Sequence, residues 1–442
     1  MEERVRRLND APVHPDARYV LYWMRRNRRA QWNHALSYAA GWANDLGLPL
    51  LCFEELTCEG LSANDRMHTF ALEGVPETAR RLKALGCGYE FHFGRKRSEP
   101  SALPRAAASA AALVTDDDPE LFSLDLDLPV AAVAVESSCI VPIGMFEKRE
   151  YAAYSIRPKI ARMLPHYLAP MEPVRLKQRY PRGACPAVTV VDIPRMVAAC
   201  EIDHSVKPSL SIRGGVLEAE RRLAHFVEHS INRYATLRNE PSKHANSCLS
   251  PYLRFGHISA LEVALATRSE PAFQEELIVR RELAHNFARF AENPRSLTSL
   301  PHWAQATLVE HAADERPYVY DRDRFARAET HDELWNACQR EMLVEGVIHG
   351  YYRMYWGKKI IEWSATCADA LETMLYIHDR WALDGRDPNT YTNILWCFGL
   401  HDRPWRERPI FGMIRYMSLD GMIRKTDTAA YIREIRELER SA

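Results

Sequence analysis

LYIHDRWALDGRDPNTYTNILW, residues Leu375 to Trp396, sets the question that the rest of the chain must answer. His378, Asp379, Arg380, Asp384, Arg386 and Asp387 stand here among apolar and aromatic residues that include Trp381 and Trp396. A surface loop has no use for the two indoles. An apolar core does not tolerate charge that finds no partner. Something has to be packed against this stretch.

It lies in a helical half. From about Gly215 the apolar residues recur at three or four positions, as in Val216, Ala219, Leu223, Phe226/Val227, Ile231 and Tyr234, the spacing of one helix face. Ser259-x-x-Glu262 and Thr330-x-x-Glu333 read as capping boxes that start further helices. The first 140 or so residues differ: the short runs YVLYWM, PLLCFEE, YEFHFG, AALVTD and PVAAVAVE alternate with helical stretches. In one of these, Trp32, Leu36, Ala39 and Trp42/Ala43 share a face. That alternation implies a parallel α/β sheet with helices on both faces. No G-x-G-x-x-G follows the first strand, so the usual dinucleotide fingerprint is missing. Seven prolines between Pro165 and Pro208 mark a connector. The expected organisation is an α/β domain over 1–150, a connector over 151–214 and an all-α domain over 215–442.

The 442 residues exceed the size at which one core usually stops growing, which agrees with two domains. Hydrophobic and charged contents of 47% and 26% are those of a globular protein, and no apolar run is long enough to span a membrane. The charged N-terminus carries no apolar signal-peptide region, and a cytoplasmic protein is expected. The ten cysteines lack metal-ligand spacing and read as reduced, apolar residues, so no metal site is expected. Net charge is −1, so any nucleic-acid surface must be local.

Four motifs bear on chemistry. In NSCLSPYLRFGHIS, from Asn246, Ser250 and Pro251 read as N-cap and first helical residue, a place where free N–H groups suit a phosphate. In EELIVRRELAHNF, from Glu275, a helix would put Glu276 and Arg280 on the stripe of Leu283 and Phe287, and an i, i+4 salt bridge accounts for the pair. Between Leu334 and Trp363, Trp356, Ile360 and Trp363 share a helix face, with Trp335 lying 21 residues before Trp356. Such rings pack a core equally well, or pass an electron if a redox cofactor starts the process. Finally, residues His401 to Lys425 hold six Arg or Lys against three Asp or Glu, interleaved with Trp405, Phe411 and Tyr416. That mixture suits a nucleic-acid backbone with stacked bases, and also a solvated basic face.

Taken together, SCLSPYLRFGHIS, EELIVRRELAHNF, HGYYRMYWGKKIIEW and LDGRDPN with HDRPWRERPIFGMIRYM resemble the class II cyclobutane pyrimidine dimer photolyases of the photolyase/cryptochrome family. The N-terminal YVLYWMRRNRRAQWNHAL, ESSCIVP and EYAAYSIRPKI share the resemblance. It implies an α/β antenna domain of Rossmann-like type and a helical domain that holds FAD, with light-driven repair of dimers in duplex DNA. The damaged base pair, poorly stacked, is flipped into the site. By position, Tyr234, Ser247, Leu249 and Ser250 would hold the FAD phosphates and ribityl chain. Arg281, Asn286, Arg353, Asp384 and Asp387 would surround the flavin, with Arg353 and Asp384 paired. Glu276 would hydrogen-bond the dimer, and Tyr351, Met354 and Trp396 would line its pocket. Trp335, Trp356 and Trp363 would relay electrons. Arg238, Asn239, Arg403, Trp405 and Arg415 would meet the DNA. A deazaflavin-type antenna chromophore and a monomeric state are further expectations of the resemblance.

His378 departs from it. Class II photolyases usually carry asparagine there, a neutral amide facing the flavin. A histidine can take a proton, so the photochemistry is expected to vary with pH between about 5 and about 8. This departure sustains a second reading, a cryptochrome-like photosensor with little or no repair. Glu276, Met354, Trp396 and the lack of a long C-terminal tail favour repair.

Overall fold

The computed structural model describes residues 1–14, 16–60, 63–118, 130–186 and 188–441. The strand runs fold as read. Strands β1 (Val5–Arg7), β2 (Tyr19–Met24), β3 (Leu50–Leu56), β4 (Gly88–Phe93), β5 (Ala110–Asp116) and β6 (Ala131–Val135) form one six-stranded sheet in the order β1-β6-β5-β2-β3-β4. Pro129, which opens the last run, lies outside the described residues. Five strands are parallel; β1 joins the edge antiparallel to β6, an addition that its short VRR sequence did not announce.

Strand β2 shows why the sheet is buried on both faces. Its alternate side chains Val20, Tyr22 and Met24 meet residues of the helices His34–Leu46 and Asp65–Leu85, such as Leu36, Ala39, Val75 and Leu82. Tyr19, Leu21 and Trp23 point the other way, onto the short helix Leu103–Ala107. The period of two thus assigns one set to each face, and all six residues are buried. Trp32, read as helical, precedes its helix with φ 52°, and Asn33 caps the helix through the Leu36 N–H.

Residues 151–214 begin with the helix Ala153–Tyr167, which buries Ile156 and Ile160 in the helical half. Only after it does the chain become irregular. There Val174, Leu176, Val188 and Val190 pack on one side of the sheet, while Tyr180 and Cys185 pack on the other.

The helical half shows three local departures from the sequence reading. The helix Glu333–Glu345 is capped by Asp332, which accepts from the Trp335 N–H at 2.9 Å; Thr330 instead bonds the Asn336 amide. Ser250 is the first residue of the helix Ser250–Phe255 and gives no cap bond. Glu275–Arg280 is a π-helical segment, so Glu276 and Arg280 do not pair: Glu276 meets Arg238 at 2.9 Å, and Arg280 meets Glu275 at 3.3 Å. Ser259 does cap its helix, accepting from the Leu261 N–H at 3.2 Å.

Arginines hold the two halves together. Arg66, 1% exposed, donates to the carbonyls of Met342 (2.7 Å), Leu343 (2.5 Å) and Trp381 (2.9 Å), at the C-terminal ends of two helices. Arg29, on the RRNRR loop after β2, donates to the Gly256 carbonyl at 3.1 Å. Gly256 itself sits at φ +71°, and any Cβ there would lie 1.7 Å from the Arg26 carbonyl oxygen. That close approach requires glycine.

Candidate functional site

The opening stretch splits into the end of the helix Cys367–Trp381, a turn, and the helix Pro388–Cys397. Its charges all find partners. Asp379 pairs with Arg295 at 2.7 Å and accepts from the Arg386 N–H at 3.2 Å; Arg380 pairs with Asp203 at 2.7 Å. Asp384 pairs with Arg353 at 3.1 Å, as the resemblance implied. Asp387 caps the following helix through the Asn389 N–H at 2.9 Å.

Three atoms around the Asp384 pair stay unmatched. Arg353 Nε, Asp384 Oδ1 and His378 Nδ1 are buried with no hydrogen-bond partner. Leaving such groups unsatisfied costs about 1–3 kcal/mol each, so the trio is built for a polar ligand that enters the interior. Burial acts first on both titrating members. It pushes His378 down to about 3, with Arg353 and Arg386 adding to the effect. It pushes Asp384 up, but Arg353, His378 and Ser250 outweigh it and keep the carboxylate below its ordinary value. Burial thus favours the neutral ring and opposes the expected titration of His378 between about 5 and about 8.

From this trio an aromatic ladder runs outward. The Trp356 ring meets His378 edge-on, with centroids 6.2 Å apart. Trp335 stacks on Trp356 at 6.3 Å and 7°, and Trp363 lies 6.3 Å from Trp335. All three indoles are 0–2% exposed. Their order in space is Trp356, Trp335, Trp363, although Trp356 and Trp363 share a helix and Trp335 does not.

The remaining cofactor candidates fall in three places. Arg281 and Asp387 line a narrow crevice with His285, Arg26 and Arg254, between the helices and the RRNRR loop. Burial pushes Asp387 up, but His285, Arg281 and Arg26 hold it below the usual carboxylate range. Tyr234, Leu249 and Tyr252 belong to one core cluster, with Ser247 and Ser250 flanking Leu249 at its edge. Asn286 is occupied elsewhere: its amide accepts from the Glu150 N–H at 2.7 Å and donates to the Lys148 carbonyl at 3.1 Å. It anchors the 148–150 segment rather than presenting a free amide.

At the surface Trp396, Trp405, Arg403 and Arg415 come together. The Arg415 guanidinium lies over both indoles, 5.6 Å from Trp396 and 4.8 Å from Trp405, and Arg403 lies 5.1 Å from Trp405. Arg238, expected at the DNA, is instead the partner of Glu276, whose side chain is 45% exposed. Asn239 is exposed beside it, and Tyr351 and Met354 are half-buried on the Trp356 helix.

The sequence reading missed Lys358. It is fully buried, donates to the Cys397 carbonyl at 2.6 Å and sits 4.9 Å from the Trp396 ring, so that it supports that indole from within. The doubled lysine in WGKKIIEW, beside the apolar and aromatic face of Trp356, Ile360 and Trp363, was the available signal. Among the described residues no group of three or more His, Cys, Asp or Glu could hold a metal, and no helix is long and apolar enough to cross a membrane.

The chain belongs to the DNA photolyase family, within the photolyase/cryptochrome fold. The family model described as DNA photolyase matches residues 20–176. A deoxyribodipyrimidine photo-lyase of Methanothermobacter thermautotrophicus is 40% identical over 99% of this chain and 98% of its own length. An archaeal photolyase from Sulfolobus tokodaii, crystallised with two FAD molecules, superposes with a TM-score of 0.67 at 17% identity, covering 94% of this chain and 89% of that one. A Synechocystis cryptochrome gives the same TM-score at 15% identity, covering 94% and 88%, so the shared fold by itself does not separate repair from sensing.

Proposed function

We propose that this chain is a class II cyclobutane pyrimidine dimer photolyase, which binds FAD and repairs dimer-containing duplex DNA with light. The observation that carries the reading is the Trp356–His378 contact, which joins the buried polar trio to the indole ladder. Bound FAD supplies the light absorption and the transferable electron, while the protein contributes binding, orientation and electrostatics.

Arg353 and Asp384 offer a buried donor and acceptor side by side, and neutral His378 adds one ring nitrogen in either role, set by its tautomer. Tyr234, Ser247, Leu249, Ser250, Arg281 and Asp387 hold the rest of the cofactor. Trp356, Trp335 and Trp363 return electrons to the site from the outside.

On the substrate side, the Glu276–Arg238 pair is part-exposed at 45% and 32%, and so is weak enough to open. Glu276 then hydrogen-bonds the dimer, and Arg238 and Asn239 meet the backbone. Tyr351, Met354 and Trp396 line the pocket, while Trp405, Arg403 and Arg415 stack on and neutralise the DNA. The reading carries with it a monomer in the cytoplasm and a second chromophore of deazaflavin type.

The test begins with the purified protein, which should be yellow and release FAD on denaturation. Light should restore dimer-containing duplex, and Glu276→Gln should weaken repair while FAD stays bound. Colourless folded protein that cannot be reconstituted would sink the proposal. Bound FAD and DNA binding without repair would move the chain to the sensor reading. Trp356→Phe keeps an aromatic ring in the core but removes the easily oxidised indole, so unchanged photoreduction in that variant would reduce the ladder to packing.

A further inference from the structure

The ladder does not end in solvent. Trp363 is only 2% exposed, yet a cavity of about 430 Å³ opens directly against it. That volume is in the range of small-molecule sites. Its wall continues the aromatic path: the His331 ring lies 4.7 Å from Trp363, and Tyr318 stacks on His331 at 3.7 Å. Tyr318 is 46% exposed, so the path reaches the surface at the cavity mouth. Leu419 and Ile423, 36% and 54% exposed, form the facing rim.

The lining selects a ligand class. Apolar and aromatic surfaces dominate it, which suits a flat ring. Asp332, Glu333 and Glu362 face one cation, Lys359, whose ammonium is already taken by Glu362 at 2.5 Å and Tyr416 at 3.3 Å. An anionic reductant meets net negative charge here. A neutral phenol meets ring faces and hydrogen-bond acceptors.

We propose that this cavity binds a neutral phenolic reductant of the hydroquinone class, which refills the ladder at Trp363. The inference rests on reading the three indoles as an electron relay. Once Trp363 has passed one electron inward through Trp335 and Trp356, it takes one electron from the bound ring. The phenolic O–H that loses this electron gives its proton to water at the mouth, leaving a neutral phenoxyl radical. Two such radicals disproportionate in solution to one quinone and one hydroquinone, which closes the balance.

Hydroquinone is the probe, with ascorbate as the anionic control. In the dark, saturation-transfer NMR should detect hydroquinone on the intact protein and lose it in Ile423→Trp, which fills the mouth from an exposed position where stability is little affected. Under light, flavin photoreduction should saturate with hydroquinone concentration in the unaltered protein. It should become slower and linear in Ile423→Trp. With ascorbate it should be linear and equal in both proteins, and DNA binding should not change. Leu419→Trp, one turn earlier on the same rim, should repeat the loss. Absence of dark binding, or binding and saturation that survive both substitutions, would overturn the proposal. Failure of the relay reading shows separately, as photoreduction unaffected by Trp356→Phe with any donor.

Discussion

The tryptophans of one stretch of chain divide into two groups held by different means. Inside, the ring nitrogen of Trp335 donates to the Trp356 carbonyl at 2.9 Å, and that of Trp356 to Gln339 Oε1 at 2.9 Å, so each buried donor is satisfied and each ring has one place. Outside, Trp396 and Trp405 are held by cations: Arg415 lies between them, and Lys358 stands behind Trp396. A cation over an exposed ring can be exchanged for a phosphate or a base, whereas an interior hydrogen bond has nothing to be exchanged for. The same residue type is therefore fixed by hydrogen bonds in the interior and held by exchangeable cations at the surface.

Histidines obey the same division, and this carries the largest expected effect. Burial pushes His34 down to about 2, His257 and His378 to about 3, and His68, His349 and His401 to about 4. The unfolded chain takes up these protons near pH 6.5 while the folded chain does not, so stability falls as pH drops below about 6.5. Five carboxyls act in the opposite direction: burial pushes Glu282 up to about 8 and Glu341 up to about 7, and raises Glu73, Glu136 and Glu262, so their contribution falls as pH rises above about 4.3. The histidines outnumber them. Urea midpoints should peak between about pH 6.5 and pH 7 and lose several kcal/mol on the acid side. A curve flat from about pH 7 down to about pH 5 would mean that these rings are not held neutral inside.

Substitution tests the two tryptophan groups directly. Trp335→Ala removes a fully buried indole and should cost about 3–5 kcal/mol, whereas Trp405→Ala should stay within about 0.5 kcal/mol. Comparable losses in chemical denaturation would break the contrast.

Much of this contrast was legible in the sequence, for identifiable reasons. The β2 run is short, apolar and rich in β-branched and aromatic residues, and the Val216 to Tyr234 face has a helical period, which the structure divides between the helices Val216–His229 and Ile231–Leu237. The Arg353–Asp384 pair was reached by position within a motif, since 31 residues separate the partners and no local spacing joins them. Illegible were the features decided by distant chain. Glu276 found Arg238 rather than its own helix neighbour because the segment is π-helical, and the turn to β1 depended on β6. Asn286 was taken up by the backbone of 148 and 150, a contact 136 residues away at Glu150. Lys358 was missed because its partners, the Cys397 carbonyl and the Trp396 ring, come from another helix.

The outer group should matter more for binding than for folding. Trp396→Ala should weaken affinity for dimer-containing DNA by about 1–3 kcal/mol, the usual value of one base stacked on an aromatic ring. Its effect should be nearly independent of salt. Arg415→Ala should instead lower the salt dependence of binding, by about one phosphate contact. If both substitutions changed only the stability of the protein, the outer rings would belong to the core group after all.

The smallest expected effect is the most discriminating. His378 touches Trp356, lies within the polar trio, and stands where the resemblance leads to the expectation of asparagine. An exposed histidine there would make photoreduction inflect near pH 6.5. Here burial comes first and Arg353 and Arg386 second in holding the ring at about 3; Asp384 is the one neighbour favouring the charged form. The sign follows: between about pH 5 and about pH 8 both the folded ring and an asparagine amide are neutral hydrogen-bonding groups. Photoreduction followed spectroscopically across that range should therefore give matching, nearly flat profiles for the unaltered protein and His378→Asn, with repair retained in both. An inflection present in the unaltered protein and absent from the variant would show that the occupied site charges the ring. His378 would then be a titrating group and not a substitute for the amide.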